Sequence, residues 1–341
     1  MAGKHILIIS PATESENNGN WQTSRRWSLF LRERHRVAIA PGFDPTTVNA
    51  PDLLIALHAR RSAGALAAFR QTHGERATVL VLTGTDLYRD IATDPEAQAA
   101  LEHATVIVLL QAAGLAMLPP HLRAKARVIH QSAPTLPSKG EAARGRQHHD
   151  ICMIGHLRPE KDPLTFMRAS ELVTNRRVRL VHIGGALDAA LGDAAADMAA
   201  RNPRYEWLGA LPNAAARQRL KRSHAMAITS LMEGGANVII EAVTSGVPVL
   251  ASDINGNRGM LGEDYAGYFP VGDAQALAQL IDRTIDDPAF HQLLTSQCAA
   301  RAPLFDPAAE RAAVLDLVDN LLLAYPSKLP PPPVQPQRIT Q

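Results

Sequence analysis

Short runs of consecutive apolar residues alternate with helix-period segments along the first part of the chain. The runs predict strands at 6–9, 37–40, 53–57, 79–82 and 106–110, with a shorter one at 128–129. Strands that are apolar throughout, rather than at every second position, are typical of a parallel sheet covered on both faces. Between two of them, Gln22 to Arg34 carries Trp27, Phe30 and Leu31 at the spacing of one buried helical stripe. The pattern predicts a β/α repeat.

The segment from Ala133 to Asp150 interrupts this pattern with Pro, Gly, Lys, Arg and His, which indicates a linker. Apolar runs then resume at 151–154, 178–183, 225–229 and 249–251. We therefore predict an α/β protein of two Rossmann-like, doubly wound parallel-sheet domains that face each other across a cleft. The predicted units are a first domain with its linker (1–147), a second domain (148–308), an apolar helix that packs across the junction (309–327) and a disordered proline-rich tail (328–341).

Composition and charge argue against several classes of function and add little about the fold. The net charge of the 341 residues is only +2, so overall charge gives no reason to predict binding to nucleic acid or to an anionic membrane. Two cysteines, Cys152 and Cys298, are too few for a disulfide framework, and the N-terminus lacks a signal-peptide pattern. No run reaches the roughly 18 apolar residues that a membrane span needs. These features predict a cytoplasmic protein, and they leave its oligomeric state open.

Glycines and charged residues follow the predicted strands of the second domain. Since ligands of open α/β sheets bind at the carboxyl ends of the strands, these segments are candidate binding loops. The most informative is "MEGGANVIIEA", in which Gly234 and Gly235 precede a helix that would begin near Ala236. The free amides of such a helix start can hold an anion or sugar hydroxyls. Lys161 and Arg158, from "GHLRPEKDP", could add charge-assisted hydrogen bonds.

Two carboxylates flank this glycine turn. Glu233 stands before it and Glu241 lies over one turn into the helix, so each could accept hydrogen bonds from hydroxyls at one end of a ligand. A ligand with hydroxyls on both sides of its phosphates is a nucleotide-sugar. The alternatives are that both glutamates are solvated and that "GHLRPEKDP" is an ordinary turn with Pro159 at a helix start. The first strand is followed by "SPATESENNGN" without G-x-G-x-x-G, which removes the main support for a dinucleotide cofactor.

Polar and cationic residues also follow the predicted strands of the first domain. Several of them could converge on a small anionic acceptor, with Arg89 as a further cation. The alternatives are that the arginines are solvated, that His58 fills the rim of the core, and that Asp86 caps its own loop. The acceptor-binding candidates are Arg25, Arg26, His58, Arg60, Arg61, Thr83 and Asp86.

The second domain resembles the retaining GT-B glycosyltransferases. "MEGGANVIIEA" is similar to their E-x7-E element, and "GHLRPEKDP" to their G-R-L-x-P-E-K element. The resemblance implies that Glu233 and the amides of Gly234 to Asn237 hold the donor sugar, that Glu241 binds the ribose and that Lys161 binds the diphosphate. Where that class has arginine after the first glycine, this chain has His156, and Arg158 follows two positions later, so either of the two could meet the phosphate. The catalytic candidates are Lys161, Glu233 and Arg158. Gly19, in "NNGNW", is similar to the glycine of the N-terminal loop that approaches the diphosphate in that class. The donor-binding candidates are Gly19, His156, Gly184, Gly234, Gly235, Ala236, Asn237 and Glu241.

A narrower resemblance extends across the chain to about Phe269. "GNWQTSRRW", "ALHARRSA", "LTGTDLYRD", "HIGGALD" and "GMLGEDYAGYF" are similar to segments of the selenosugar synthases of selenoneine biosynthesis. That family joins a UDP-sugar, typically UDP-N-acetylglucosamine, to selenophosphate. The resemblance implies the same two small-molecule substrates here. No D-x-D metal signature stands out in a suitable place and cationic side chains can substitute for one, so we expect no metal and no cofactor. A transferase for another small acceptor, a UDP-sugar epimerase of related fold and a non-enzymatic nucleotide-sugar sensor are the alternatives.

Overall fold

Parallel strands form the centre of both halves of the chain. The computed structural model describes residues 3–16, 18–46, 50–136 and 148–326, so most of the predicted linker and the predicted tail lie outside the described residues. The strands of the first sheet are β1 (His5–Ile9), β2 (Arg36–Ala40), β3 (Leu53–Leu57), β4 (Thr78–Leu82), β5 (Val106–Leu109) and β6 (Ala126–Val128). Those of the second are β7 (His149–Ile154), β8 (Val178–Ile183), β9 (Tyr205–Trp207), β10 (Ala225–Ile228), β11 (Val249–Ser252) and β12 (Tyr268–Phe269).

Helices connect these strands and cover the sheets. In the first half they are α1 (Gly19–Leu31), α2 (Ala63–Thr72), α3 (Ile91–Thr93) and α4 (Pro95–His103), with a π-helix at Asp86–Asp90. In the second half they are α5 (Pro163–Leu172), α6 (Ala189–Arg201), α7 (Asn213–Lys221), α8 (Asn237–Thr244), α9 (Asn255–Leu261), α10 (Ala274–Asp286), α11 (Pro288–Arg301) and α12 (Pro307–Ala324). Aspartate or asparagine side chains accept hydrogen bonds from the first-turn amides of several helices, as N-caps do; they are Asn18, Asp94, Asp162, Asp188, Asp273, Asp287 and Asp306.

Each sheet is parallel and changes the direction of its winding once. The first has the order β2-β1-β3-β4-β5-β6, so its strand order reverses between β1 and β3. The second has the order β12-β11-β10-β7-β8-β9 and reverses between β7 and β10. The described residues therefore form the two doubly wound, Rossmann-like domains that the sequence predicts. At each reversal the loops after two neighbouring strands separate, which opens the crevice in which such sheets bind ligands.

Strand burial explains which predictions from the apolar pattern are confirmed. All residues of β3 and β4 are buried, as expected for central strands, whereas β2 at the edge of its sheet is only partly buried. Strand β7 begins at His149 rather than Ile151, because Asp150 forms a two-point ion pair with Arg179 on β8. Strands β9 and β12 were not predicted, since neither is a long apolar run.

Helix α12 brings the end of the described chain back to the first domain. Its buried side chains Val314, Leu315, Val318 and Leu321 belong to the same apolar cluster as Trp27 of α1 and the strands of the first sheet. The carboxylate of Glu310 on α12 accepts hydrogen bonds from Arg26 Nε at 2.7 Å, Trp27 Nε1 at 2.8 Å and the Ser132 amide at 2.8 Å. This buried carboxylate ties α1, the chain that leaves β6, and α12 together.

Among the described residues, none of the helices combines the length and apolarity that crossing a membrane requires.

Candidate active site

The reversal in the second sheet brings together two loops that are far apart in sequence. One follows β7 and carries Lys161, and the other follows β10 and carries Glu233. Lys161 Nζ donates a hydrogen bond to Glu233 Oε1, and Ser230 Oγ donates to the same oxygen at 2.6 Å. Only 9% of Glu233 is exposed. A fixed carboxylate and an ammonium group therefore lie side by side at this crevice.

Helix α8 begins where the sequence predicts. Ala236 is its N-cap residue, Asn237 its first helical residue, and Gly234 and Gly235 form the turn before it. Within the described residues no side chain caps this helix, in contrast to α1 or α5. Its first amides are therefore left without a side-chain acceptor, which is the condition for holding an anion or a sugar oxygen.

The glycine turn is packed against backbone on two sides. A Cβ on Gly234 would lie 2.6 Å from the amide nitrogen of Gly84 and 2.6 Å from the carbonyl oxygen of Thr83, both in the first domain. A Cβ on Gly256 would lie 1.9 Å from the carbonyl oxygen of Glu233. Since any other residue would force backbones apart, these positions require glycine. The loop after β4 thus touches the turn that precedes α8, and it brings Thr83 next to Glu233.

The loop after β7 is held by hydrogen bonds to the loop after β8. His156 Nδ1 accepts from the Gly185 amide at 3.0 Å. Burial lowers the pKa of His182 to about 4, so this side chain is neutral near pH 7. Its Nε2–H donates to the carbonyl of Gly155 at 3.1 Å, and the Tyr205 hydroxyl donates to Nδ1 at 2.9 Å. Gly184 lies so close that a Cβ on it would be 1.9 Å from the Gly155 oxygen.

These contacts separate His156 from Arg158. The His156 ring uses one nitrogen for the protein backbone, and burial lowers its pKa. The half-buried guanidinium of Arg158 has no hydrogen bond or ion pair with any residue that the structure describes. Arg158 is therefore available to a phosphate, as a second cation of this loop beside Lys161.

Glu241 lies inside α8, and its carboxylate is surrounded by polar groups of α7. Asn213 Nδ2 donates to Glu241 Oε1 at 3.0 Å, and Arg217 Nε is 3.9 Å from the same oxygen. Burial raises the pKa of Glu241. Neither predicted carboxylate is solvated, so that alternative is wrong for both.

Gly19 faces α8 from the first domain, but from a helix rather than from a loop. It is the first residue of α1, and Asn18 Oδ1 caps that helix by accepting from the amides of Asn20 and Trp21. A Cβ on Gly19 would be 3.6 Å from Asn237 Nδ2. The starts of α1 and α8 therefore lie next to each other across the two domains.

On the first domain, Asp86 holds its own loop. Its carboxylate is fully buried and accepts from the amides of Thr83 at 2.9 Å, Gly84 at 2.8 Å and Ala59 at 3.0 Å. The structure thus supports the loop-capping alternative for Asp86 rather than direct contact with an acceptor. Because these bonds position the backbone of Thr83 and Gly84, Asp86 acts on the crevice through that loop.

His58 ends β3 in a left-handed conformation, with φ +70°, and is 3% exposed. Its Nδ1 accepts from the amide of Arg61 at 3.4 Å, so the neutral ring donates through Nε2 to Thr85 Oγ1 at 3.1 Å. Burial lowers the pKa of His58. A left-handed non-glycine residue is strained and is found most often at functional sites. His58 lies at the reversal point of the first sheet, where that sheet would bind a ligand.

The predicted cations of the first domain fall into two groups. Arg26 is paired with Glu310, and Arg60 Nε lies 3.1 Å from Asp90 Oδ2, so both charges are offset within the protein. Arg89 is shared between Asp90 and Glu160 of the second domain. By contrast, Arg25 and Arg61 are exposed and pair with no carboxylate of the described chain.

Comparison with known proteins relates the second domain to one family. Residues 139–301 match the family model of the group 1 glycosyl transferases. The second domain is therefore similar to that of the group 1 glycosyl transferases. The match contains Lys161, Glu233 and Glu241 together with the loops that hold them.

Two curated relatives agree with that family. The chain is 27% identical over 237 residues to the glycosyltransferase 1 domain-containing protein 1 of Xenopus tropicalis, which covers 63% of this chain and 68% of that protein. It is 25% identical over 155 residues to a UDP-Gal:alpha-D-GlcNAc-diphosphoundecaprenol alpha-1,3-galactosyltransferase of Escherichia coli, covering 43% of this chain and 38% of the relative.

Solved structures show the fold of the whole chain. HepE of Anabaena, in complex with UDP and glucose, superposes with a TM-score of 0.76 at 17% identity, over 93% of this chain and all of HepE. Sucrose-phosphate synthase of Thermosynechococcus elongatus gives a TM-score of 0.74 at 16% identity, over 94% and 100% of the two chains. The described chain therefore has the two-domain GT-B fold, and the segment that matches the family model forms its second half.

Four further residues of this site were missed by sequence reasoning: Ser230, His182, Asn213 and Arg217. Ser230 lies three residues before Glu233 and could have been found from that spacing. His182 lies inside an apolar strand, and Asn213 and Arg217 follow β9, whose short polar sequence "YEW" gave no strand signal. The contribution of these residues to the site depends on which strands are neighbours in the sheet. The order of the strands along the chain does not show this.

Proposed function

We propose that this protein transfers a sugar from a UDP-sugar, with UDP-N-acetylglucosamine as the donor of choice, to selenophosphate. The proposal is supported by the match of residues 139–301 to the group 1 glycosyl transferases, by UDP in the complex of the similar HepE structure, and by the resemblance of the chain to selenosugar synthases. The single observation that carries it is the turn before α8. There Glu233, paired with Lys161, lies beside free helix amides and against the loop of Thr83 and Gly84.

In this proposal the donor lies along the start of α8. The sugar hydroxyls bind Glu233 and the amides from Gly234 to Asn237, the diphosphate binds Lys161 and Arg158, and the ribose binds Glu241. Charge that develops on the departing UDP is stabilised by the two cations and by the helix amides, which are already oriented before the reaction. With these cations present we expect no metal requirement.

The acceptor approaches from the first domain, near His58, Thr83 and Arg61. A selenium lone pair attacks the anomeric carbon, the bond from that carbon to the diphosphate oxygen breaks, and UDP leaves with the electron pair. Hydrolysis of the selenium–phosphorus bond then gives the selenosugar and phosphate. Selenophosphate is anionic near neutral pH, so it needs little help from a general base. The protein contributes the positions of both substrates and a site shielded from water.

Mass spectrometry of the purified full chain with UDP-N-acetylglucosamine and selenophosphate tests this proposal. A selenium-bearing sugar, together with equimolar UDP and phosphate, is the expected result. An epimerised donor without added acceptor would identify an epimerase instead, and UDP release only with another small nucleophile would identify a different transferase. Binding of UDP without turnover of any UDP-sugar would identify a sensor.

A further inference from the structure

Arg217 is a buried cation that the proposed donor site does not yet account for. Its side chain is 9% exposed and lies on α7, one turn after Asn213. Nη2 donates to the carbonyl of Pro134 at 2.6 Å, whereas Nε is buried and has no hydrogen-bond partner among the described residues. That nitrogen lies 3.9 Å from Glu241 Oε1. Since an unsatisfied buried donor costs free energy, its placement beside a carboxylate requires an explanation.

Three groups face the carboxylate of Glu241. Asn213 donates a hydrogen bond from α7, Arg217 contributes its charge from the same helix, and Arg26 contributes charge from α1. Burial raises the pKa of Glu241, and these three groups act in the opposite direction. The charge of Arg26 is largely offset by Glu310 at 2.7 Å. For Arg217, Glu241 is the one ion-pair partner that the described residues provide.

An ionised carboxylate can accept a hydrogen bond at each of its two oxygens, whereas protonation turns one of them into a donor. Hydrogen bonds to the charged form and nearby positive charge both favour ionisation, and at Glu241 the hydrogen bond comes from Asn213. Arg217 is placed to supply that charge. Its bond to Pro134 also fixes its position relative to the segment that leads from β6 into the connection between the domains.

We propose that Arg217 is a positioning residue of the nucleotide site: it keeps Glu241 as a carboxylate aligned for the ribose hydroxyls and joins it to the interdomain connection. This inference rests on the proposed function, which assigns the ribose to Glu241. Arg217 acts through Glu241 and does not itself touch the nucleotide.

Calorimetric titration of UDP into the full chain between about pH 6 and about pH 8 tests the inference. Titration of the UDP phosphate is common to all variants, so each profile is read relative to wild type. We expect the ratio of UDP affinity at about pH 8 to that at about pH 6 to be larger for Arg217→Gln than for wild type, because without the guanidinium less opposes the burial that raises the pKa of Glu241. Arg217→Lys, which keeps the charge, should restore most of the wild-type profile.

Lys221→Gln is the matched control. Lys221 lies one turn further along α7 and donates to the Leu136 carbonyl at 2.7 Å, so it holds the same connecting segment without serving Glu241. We expect its pH profile to match wild type. An equal loss of affinity at every pH for Arg217→Gln, or a loss that Lys221→Gln reproduces, would show that Arg217 only supports the fold and would overturn the inference.

The double variant Arg217→Gln/Glu241→Gln keeps the test decisive if Arg217→Gln does not fold. Removing both partners leaves no buried unpaired charge, so we expect it to fold near pH 7 even then. Failure of the double variant to fold would contradict a role through Glu241. If it folds, its UDP affinity should have the pH profile of Glu241→Gln alone. Absence of UDP binding by wild type would instead contradict the proposed function itself.

Discussion

The backbone of Gly84 in the first domain lies directly against the backbone of Gly234 in the second. A Cβ on Gly84 would be 2.9 Å from the Gly234 amide nitrogen, and one on Gly234 would be 2.6 Å from that of Gly84. The predicted acceptor loop and the predicted sugar turn are therefore in van der Waals contact. In the proposed function, the two substrates meet next to this contact.

Gly234→Ala should separate the two loops. A methyl group there meets backbone atoms rather than flexible side chains, so we expect a free energy of unfolding lower by about 1–3 kcal/mol. Sugar transfer should fall by at least about tenfold, since small displacements of substrates cost large factors in rate. Denaturant unfolding and initial rates measure the two effects.

Gly64→Ala is the control for that substitution. Gly64 is an exposed residue of α2, and nothing lies within 4 Å of the Cβ it would gain. Alanine is the better helix former, so we expect stability to be unchanged or slightly higher and activity to be retained. Equal behaviour of the two variants would mean that the Gly84 contact has no role in the site.

Lys161→Gln should be costly for both stability and transfer. It leaves the buried Glu233 carboxylate without its cation, for which we expect a loss of about 3 kcal/mol in the free energy of unfolding. Glu233→Gln in the same protein should recover part of that loss, because the unpaired charge is then removed. A double-mutant cycle measured by urea unfolding gives the coupling, and additive effects would contradict a direct interaction.

Glu310→Gln should destabilise the junction between α1, α12 and the end of β6. It removes the negative charge opposite Arg26 and the acceptor of Trp27 Nε1 or the Ser132 amide. We expect the free energy of unfolding to fall by about 2 kcal/mol. Glu33→Gln is the comparison. Glu33 is exposed and pairs with Arg311, which lies on α12 next to Glu310. Solvent screens that pair, so its loss should matter much less.

The pH dependence of stability should include a contribution from His182. Its pKa is about 4 in the folded protein and 6.5 in the free side chain, so the unfolded chain binds the proton more tightly. The free energy of unfolding is therefore highest above pH 6.5 as far as His182 is concerned. It decreases as the pH falls from 6.5 towards 4, by up to about 3 kcal/mol. Unfolding of His182→Gln should show a shallower decrease over this window than wild type. An identical slope would mean that His182 is protonated in the folded state.

Transfer should be insensitive to a chelator. In the proposed function, Lys161, Arg158 and the amides of α8 offset the diphosphate charge in place of a metal ion. We expect the same initial rate with and without excess EDTA. A rate that collapses with EDTA and returns with Mg²⁺ would contradict this expectation.

The local sequence was sufficient to predict the strands and helices that carry the candidate site. The continuous apolarity of β3, of β10 and of residues 79–82 of β4 reflects burial on both faces of a parallel sheet, which is a property of each strand by itself. The start of α8 could be placed within one residue, because a pair of glycines marks its first free amides. The positions of Lys161 and Glu233 followed from the rule that loops at the strand ends form the crevice.

Pairings between distant residues could not be predicted in the same way. The pattern of the chain gave no indication that Glu310 neutralises Arg26 or that Arg217 lies beside Glu241. Each depends on which strands are neighbours in the sheet and on how the two domains meet.

The amino-acid sequence alone thus determined the elements, the two parallel sheets and the loops of the crevice, because periodicity and glycine turns are local properties of the chain. The tertiary structure decided which charges remain available to a ligand. A carboxylate or guanidinium is neutralised by whatever group the fold brings within a few ångströms, and that group can be hundreds of residues away, as Glu310 is from Arg26.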